Sequence, residues 1–179
     1  KIYYKYPDPS NRRFRPLIDQ IKEQKNRLDF IPMEWDIQLC CYVNFKELIS
    51  KNNVLFDIII NTIGILHDDI NNIYPEKSIK TLDTNFFIKN IEINSLVSAL
   101  CIKHMIDFIS KNKKTVIAHL TARLGSISDN NIGGWLSYRA SKAAQHMIIK
   151  TASIELARNY NKLIIIGLHP GTVSTKLSK

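Results

Sequence analysis

Tyr138 and Lys142 are the two residues of this chain whose types and spacing could do acid–base chemistry. They lie four positions apart in a segment with a helical pattern, so their side chains share one helix face. A nearby ammonium group favours the phenolate form of a tyrosine and lowers its pKa from about 10 towards neutrality. A phenol of that kind is a useful proton donor, and the pair therefore indicates a reductase.

Composition places this chemistry in an ordinary globular protein. Of the 179 residues, 45% are hydrophobic and 23% are charged, which favours one domain over residues 1–179. No apolar run is long enough to span a bilayer, and the first residues do not have a signal-peptide pattern. Cys40, Cys41 and Cys101 show no metal-ligand or redox spacing. The sequence therefore predicts a cytoplasmic protein without a metal or a membrane partner.

The net charge of +9 raises the alternative of a nucleic-acid-binding protein. The positive residues are clustered towards the start of the chain and again around residues 111–114, but no motif of interleaved aromatic and basic residues accompanies them. A solvated basic face is the simpler interpretation. No nucleic-acid partner is expected.

Short β-branched runs alternate with longer helical patterns along the chain, which predicts a parallel sheet with helices on both faces. The nearly uniform apolar run at 54–61 predicts a strand that is covered on both sides. In such sheets ligands bind beyond the carboxyl ends of the strands. Strands are expected at 2–6, 30–37, 54–61, 115–121 and 162–168, and helices at 15–27, 44–52, 84–111 and 138–159, the third with Asp83 or Thr84 as N-cap.

Five motifs lie at or near these strand ends: NTIG at 61–64, IEIN ending at Asn94, GSISDN at 125–130, YRASKAA at 138–144 and HPGTVST at 169–175. Each is weak alone, whereas all five in order are specific. Together they resemble the short-chain dehydrogenase/reductase family, and more closely its C-factor-like and sniffer-type carbonyl reductase branch. The resemblance implies an α/β fold, a Rossmann-like doubly wound parallel sheet in three layers, incomplete at both ends.

The resemblance also implies catalytic roles. Tyr138 would be the general acid, and Lys142 would lower its pKa and bind the nicotinamide ribose. Asn94 would hold a water that links Lys142 to solvent, although a satisfied polar core residue is nearly as good an interpretation. The family's catalytic serine corresponds to Ala122, so Thr121 is the preferred replacement, with Ser126 next.

The resemblance further implies a dinucleotide cofactor. Lys5, near Arg12 and Arg13, could meet a 2′-phosphate, which favours NADP(H) over NAD(H). The alternatives are structural, since Asp36 could be a helix N-cap and Gly64 could simply serve a turn. The residues expected at the cofactor are Lys5, Asp36, Asn61, Gly64, Tyr138, Lys142, Pro170, Gly171, Thr172 and Thr175.

The expected function is an NADP(H)-dependent oxidoreductase that interconverts a carbonyl and an alcohol on a small molecule. The alternative is a non-catalytic C-factor-like signalling or binding module, which Ala122 favours. The family's Gly-rich TGxxxGxG turn does not occur in this sequence, which predicts a fragment that could be inactive alone. The two long helices resemble those of the family's subunit interface, so a homodimer or homotetramer is expected for the full-length protein.

Overall fold

The computed structural model describes residues 34–36, 41–43, 55–67 and 73–171. The chain divides into two compact units, one formed by Val54–Gly171 and the other by Lys1–Asn53 with Thr172–Lys179. The predicted strand 2–6, the helices 15–27 and 44–52, and the site residues Lys5, Thr172 and Thr175 lie outside the described residues.

In the unit formed by Lys1–Asn53 and Thr172–Lys179, β1 (Glu34–Asp36) pairs with β2 (Cys41–Val43) in an antiparallel ladder. Strand β1 lies inside the predicted strand 30–37, whereas β2 was not predicted. Asp36 is the last residue of β1 and pairs with Cys41 through the backbone. The adenine contact expected of its side chain stays a prediction.

The unit Val54–Gly171 is built on the predicted parallel sheet. Its strands are β3 (Ile58–Asn61), β4 (Thr115–Leu120) and β5 (Leu163–Leu168), in the order β3-β4-β5. Both pairings are parallel, and Asn61, His119 and Gly167 lie side by side in the register. Because the strands run in one direction, their carboxyl ends meet at one edge of the sheet, as expected for a ligand-binding edge.

Two helical segments accompany the sheet. The first runs through α1 (Thr84–Asn90), a π-helical turn (Ile91–Leu96) and α2 (Val97–Met105). The Asp83 carboxylate caps it by accepting a hydrogen bond from the Phe86 backbone N–H at 2.7 Å, so Asp83 and not Thr84 is the N-cap of the two that the sequence offered. The second is α3 (Leu136–Leu156), within two or three residues of its predicted ends. Among the described residues, neither segment has the length and apolarity that crossing a membrane requires.

The helices described pack on one face of this sheet. Ile59, Ile117 and Ile165 are buried on that face, while Ile58 and Ile60 on the other are 54% and 44% exposed. The expectation that strand 54–61 is covered on both sides is therefore wrong for its described part. Alternate side chains of a strand point to opposite faces, and among the described residues helices cover only the face that carries Ile59.

Candidate active site

Tyr138 and Lys142 lie in the first half of α3, and both are buried. The Lys142 Nζ stands 5.8 Å from the centroid of the Tyr138 ring. It donates hydrogen bonds to Gln145 Oε1 at 3.0 Å and to the Leu120 carbonyl at 3.3 Å. Leu120 ends β4, so the amine is held at the carboxyl edge of the sheet. The helix spacing thus brings the predicted pair to the predicted edge.

The electrostatics of the pair differ from the sequence prediction. Burial raises the pKa of Tyr138 to about 12 and lowers the pKa of Lys142 to about 8. The expectation that Lys142 draws the pKa of Tyr138 towards neutrality is not met, because the ammonium lies over the ring and gives its hydrogen bonds to two neutral oxygens. Desolvation therefore outweighs the charge interaction for both groups. At neutral pH the phenol keeps its proton.

Asn94 lies in the π-helical turn and joins the site to the loop after β3. Its amide nitrogen donates to the Ile65 carbonyl at 2.9 Å and to Ser141 Oγ at 3.0 Å, and its oxygen accepts from the Ile65 N–H at 2.8 Å. These bonds fix residues 64 and 65 against α3. π-Helical turns recur at functional sites because they redirect side chains. The water-holding role of Asn94 stays a prediction.

Gly64 is the point where this loop meets Lys142. A Cβ atom at Gly64 would lie 3.2 Å from Asn94 Oδ1 and 3.5 Å from Lys142 Nζ. The structure thus brings the predicted residues Gly64, Asn94 and Lys142 together. The space between them stays open because Gly64 has no side chain. Sequence reasoning assigned Gly64 to the cofactor, and its position beside the amine is consistent with that assignment.

Asn61, also predicted to line a cofactor, has its side chain hydrogen-bonded within the protein. Its Oδ1 accepts from the Ile63 N–H at 3.0 Å, which fixes the orientation of the amide. Its Nδ2 then donates to His119 Nδ1 at 3.1 Å. Neutral His119 must carry its proton on Nε2, a buried atom that has no hydrogen-bond partner among the described residues.

Buried His119 predicts a loss of stability in mild acid. Burial, with a smaller contribution from Lys142, lowers the pKa of His119 to about 4 from 6.5. Between these values the unfolded chain binds the proton and the folded chain does not. The free energy of unfolding should therefore fall as the pH drops from about 6.5 to about 4, by about 1.4 kcal/mol per pH unit from this group.

Denaturant unfolding at pH 7 and pH 4.5 measures this effect, with His119→Asn as the matched variant. Asparagine keeps an acceptor for Asn61 but does not titrate. The variant should lose less stability between the two pH values than the wild-type chain. An equal loss in both would show that His119 does not carry the pH dependence.

The start of α3 is held by a buried carboxylate that sequence reasoning did not single out. Glu76 accepts a hydrogen bond from the Ser137 N–H at 3.3 Å and another from the Ser137 hydroxyl. A carboxylate at a helix N-terminus also interacts favourably with the helix dipole. Trp135, with φ of 55°, precedes the helix and places its ring edge-on to the Tyr138 ring at 6.4 Å. Glu76 thus fixes the turn of helix that carries Tyr138.

Thr121 and Ser126, the two candidates for the missing serine, occupy different surroundings. Thr121 follows β4 directly and is nearly buried, and a Cβ at Gly167 would lie 3.3 Å from its hydroxyl oxygen. Ser126 is engaged in its own loop, where its hydroxyl pairs with Ser128 at 3.3 Å and accepts from the Asp129 N–H at 3.4 Å. Ala122 is buried and has no hydroxyl to offer.

Pro170 and Gly171 follow β5 and so lie at the same sheet edge, with Gly171 at φ of 78°.

Sequence reasoning missed Gln145, which contacts Lys142 directly. A signal was available, since residue 145 lies one helical turn beyond Lys142 and two turns beyond Tyr138 on the same face of α3. A polar residue at that inward position requires a polar partner.

Comparison with known proteins decides the family. The sequence profile of the short chain dehydrogenases matches residues 7–179. The chain belongs to the short chain dehydrogenase family. It is 30% identical over 131 residues to the 1-hydroxy-2-glutathionyl-2-methyl-3-butene dehydrogenase of Rhodococcus sp. (strain AD45), covering 73% of this chain and 53% of that protein. It is 32% identical over 89 residues to the C-signal of Myxococcus xanthus, covering 50% of this chain and 52% of that protein. The chain thus spans about half the length of these curated relatives.

Solved structures agree with the fold. The carbonyl reductase Sniffer of D. melanogaster superimposes with a TM-score of 0.68 at 18% identity, covering 97% of this chain and 70% of that one. The NADPH-bound carbonyl reductase from chicken fatty liver gives a TM-score of 0.61 at 19% identity, covering 96% and 68%. The predicted Rossmann-like fold and the family suggested by the five motifs are confirmed.

Proposed function

We propose that the whole protein containing this chain is an NADP(H)-dependent oxidoreductase that interconverts a carbonyl and an alcohol on a small molecule. The observation that carries the proposal is a buried, protonated phenol with an amine on the same helix face, at the carboxyl edge of a parallel sheet. This arrangement occurs in a chain of the short chain dehydrogenase family. Among the relatives and structures named above, one is a dehydrogenase by name and two are carbonyl reductases.

The residues present fit a dinucleotide cofactor. Gly64 leaves an opening beside Lys142 that any side chain would fill. The Lys142 amine has a third N–H beyond the two it gives to Gln145 and Leu120, and that N–H can serve ribose hydroxyls. Lys142, Gly64, Pro170 and Gly171 would hold the nicotinamide end, and a bound nicotinamide supplies or accepts the hydride. Asp36, Asn61, Thr172 and Thr175 complete the proposed cofactor set.

In the proposed reaction, Tyr138 gives its proton to the carbonyl oxygen of the substrate as the alcohol forms. Its raised pKa keeps that proton in place at neutral pH. In this proposal the Lys142 ammonium, 5.8 Å from the ring centroid, offsets only part of the cost that burial adds to forming the phenolate. Asn94 would hold the water through which a proton returns from solvent by way of Lys142. Of the two hydroxyls, Thr121 is the better candidate to polarise the carbonyl, because the Ser126 hydroxyl is already paired within its loop.

The preference for NADP(H) depends on Lys5, with Arg12 and Arg13 close by in the sequence. Cationic side chains form charge-assisted hydrogen bonds to a 2′-phosphate. The carbonyl reductase from chicken fatty liver, which shares the fold, carries NADPH. We therefore expect NADPH to be used in preference to NADH.

Carbonyl-dependent oxidation of NADPH by the whole protein, with NADH alongside, tests this proposal. A panel of simple ketones and aldehydes is a suitable substrate set. Turnover with NADPH and slower turnover with NADH is the expected result. Binding of NADPH without turnover on any carbonyl would contradict the enzymatic function.

That second outcome would favour a signalling or binding module. Two observations support this alternative: buried Ala122 stands where the family has its catalytic serine, and the C-signal is a relative. The buried Tyr138, Lys142 and Asn94 argue against it, since a scaffold does not need that set. Titration with NADPH separates a module that binds nucleotide from one that does not.

We further propose that the whole protein self-associates through the outer faces of its long helices. Large apolar side chains are exposed there: Ile88 on α1, Leu96 in the π-helical turn, and Met147 and Ile154 on α3. Exposed apolar surface of this kind is characteristic of interfaces. Light scattering on the whole protein should give a dimer or tetramer, and replacing Met147 and Ile154 together with Lys should give a monomer. A wild-type monomer would exclude the interface.

A further inference from the structure

Gln145 is a buried amide whose two polar atoms are both engaged at the base of the site. Its Oε1 accepts from Lys142 Nζ at 3.0 Å. Its Nε2 donates to Ser98 Oγ at 2.9 Å and to the Leu120 carbonyl at 3.3 Å. A buried amide is costly unless it is satisfied in this way. The orientation of the Gln145 oxygen towards Lys142 is fixed, because the opposite orientation would set its NH₂ group against the ammonium.

Lys142 depends on this oxygen more than a surface lysine would. Among the described residues its ammonium is buried and has no carboxylate partner, so two neutral oxygens provide its hydrogen bonds. The Leu120 carbonyl belongs to the backbone and is shared with Gln145 Nε2. Gln145 is therefore the side chain that holds the charge in place. Hydrogen bonds to a charged donor are about twice as strong as neutral ones.

In the part of the chain that the structure describes, the titratable groups that interact with Lys142 are Tyr138 and His146 on its own helix and His119 on β4. Burial lowers the pKa of both histidines below their ordinary value, and Lys142 contributes to each shift. Burial raises the pKa of Tyr138. At neutral pH these three groups add little charge, so the hydrogen-bond acceptors and desolvation set the proton affinity of Lys142.

We propose that Gln145 is a positioning residue for Lys142, whose amide oxygen holds the ammonium at the carboxyl end of β4 and stabilises its charged form. This placement is a property of the chain itself. Its consequence for catalysis rests on the proposed reductase function, in which Lys142 supports the phenol. Gln145 thus sets the pH range over which the site carries a positive charge.

The test measures the pKa of Lys142 by NMR of its side-chain nitrogen, with the signal assigned by Lys142→Met. Gln145→Leu removes the acceptor and should lower the pKa of Lys142 by about one unit or more. Gln145→Glu keeps the shape and adds a negative charge, so it should raise that pKa by a similar amount. In the active protein, the loss of activity at high pH should move in the same direction as each measured pKa.

Ser98→Ala is the matched control. It removes the partner of Gln145 Nε2 without touching the oxygen that faces Lys142. It should lower thermal stability because a buried hydrogen bond is lost. It should move the pKa of Lys142 by less than half as much as Gln145→Leu. Gln145→Glu decides the question if Gln145→Leu does not fold.

An unchanged pKa of Lys142 in Gln145→Glu, or shifts of the same sign in both Gln145 variants, would overturn the inference. The measurement does not need turnover. If the pKa moves as expected while the protein reduces no carbonyl, the positioning role stands and the proposed function fails.

Discussion

Tyr138→Phe is expected to lower kcat/KM for carbonyl reduction by about 10²- to 10⁴-fold, the range associated with a positioned general acid. The change removes only the hydroxyl. The ring keeps its contact with the Lys142 ammonium at 5.8 Å and its edge-on packing with Trp135 at 6.4 Å. NADPH binding and thermal stability should therefore stay close to wild type. Steady-state kinetics and a fluorescence titration of NADPH measure the two quantities separately.

Tyr160→Phe is the control for the loss of a phenol. Tyr160 lies between α3 and β5, at the amino ends of the strands, and its ring carries the Lys111 ammonium at 5.5 Å. Removing this hydroxyl should alter kcat/KM by less than about twofold, because Tyr160 lies at the amino edge of the sheet and the proposed chemistry is at the carboxyl edge. If Tyr138→Phe were as active as wild type, Tyr138 would not be the acid.

The parts of this structure that the sequence predicted are those set by local patterns. The parallel strands β3 to β5 could be assigned because β-branched runs separated by helical periods leave few topologies open. Tyr138 and Lys142 could be paired because a helix fixes which side chains share a face. Asp83 could be recognised as an N-cap because its carboxylate acts on the backbone three residues later.

The parts that the sequence did not predict are set by contacts between distant segments. The pKa of Tyr138 rises because of burial, and burial depends on what the rest of the chain places around the phenol. The partner of Lys142 is an amide on its own helix face, but that amide is oriented by Ser98, which is distant in sequence. Glu76 reaches Ser137 in the same way, across a separation of 61 residues.

Gly125→Ala is expected to destabilise the unit Val54–Gly171 and to displace Lys142. A Cβ at Gly125 would lie 2.7 Å from the carbonyl carbon of Lys142, 2.8 Å from its oxygen and 2.9 Å from the Ala143 nitrogen. These are backbone atoms inside the first half of α3, so the loop or the helix must move as a whole. Overpacking of this kind costs about 1–3 kcal/mol or more. A shift of the helix also moves the amine, and misplaced catalytic groups can cost about 10²-fold in rate.

Gly133→Ala separates this steric effect from backbone strain. Gly133 has φ of 73° and no heavy atom within 4 Å of a Cβ, whereas the φ of Gly125 is not in the left-handed region. Gly133→Ala should therefore lose about 1–2 kcal/mol through its backbone alone and keep its activity. Denaturant unfolding and kcat/KM on both variants distinguish the two causes. If Gly125→Ala kept wild-type stability and activity, the loop after β4 would not lie against α3 as the structure places it. The reason is that the atoms nearest the added methyl group are backbone atoms, which cannot turn aside as a flexible side chain can.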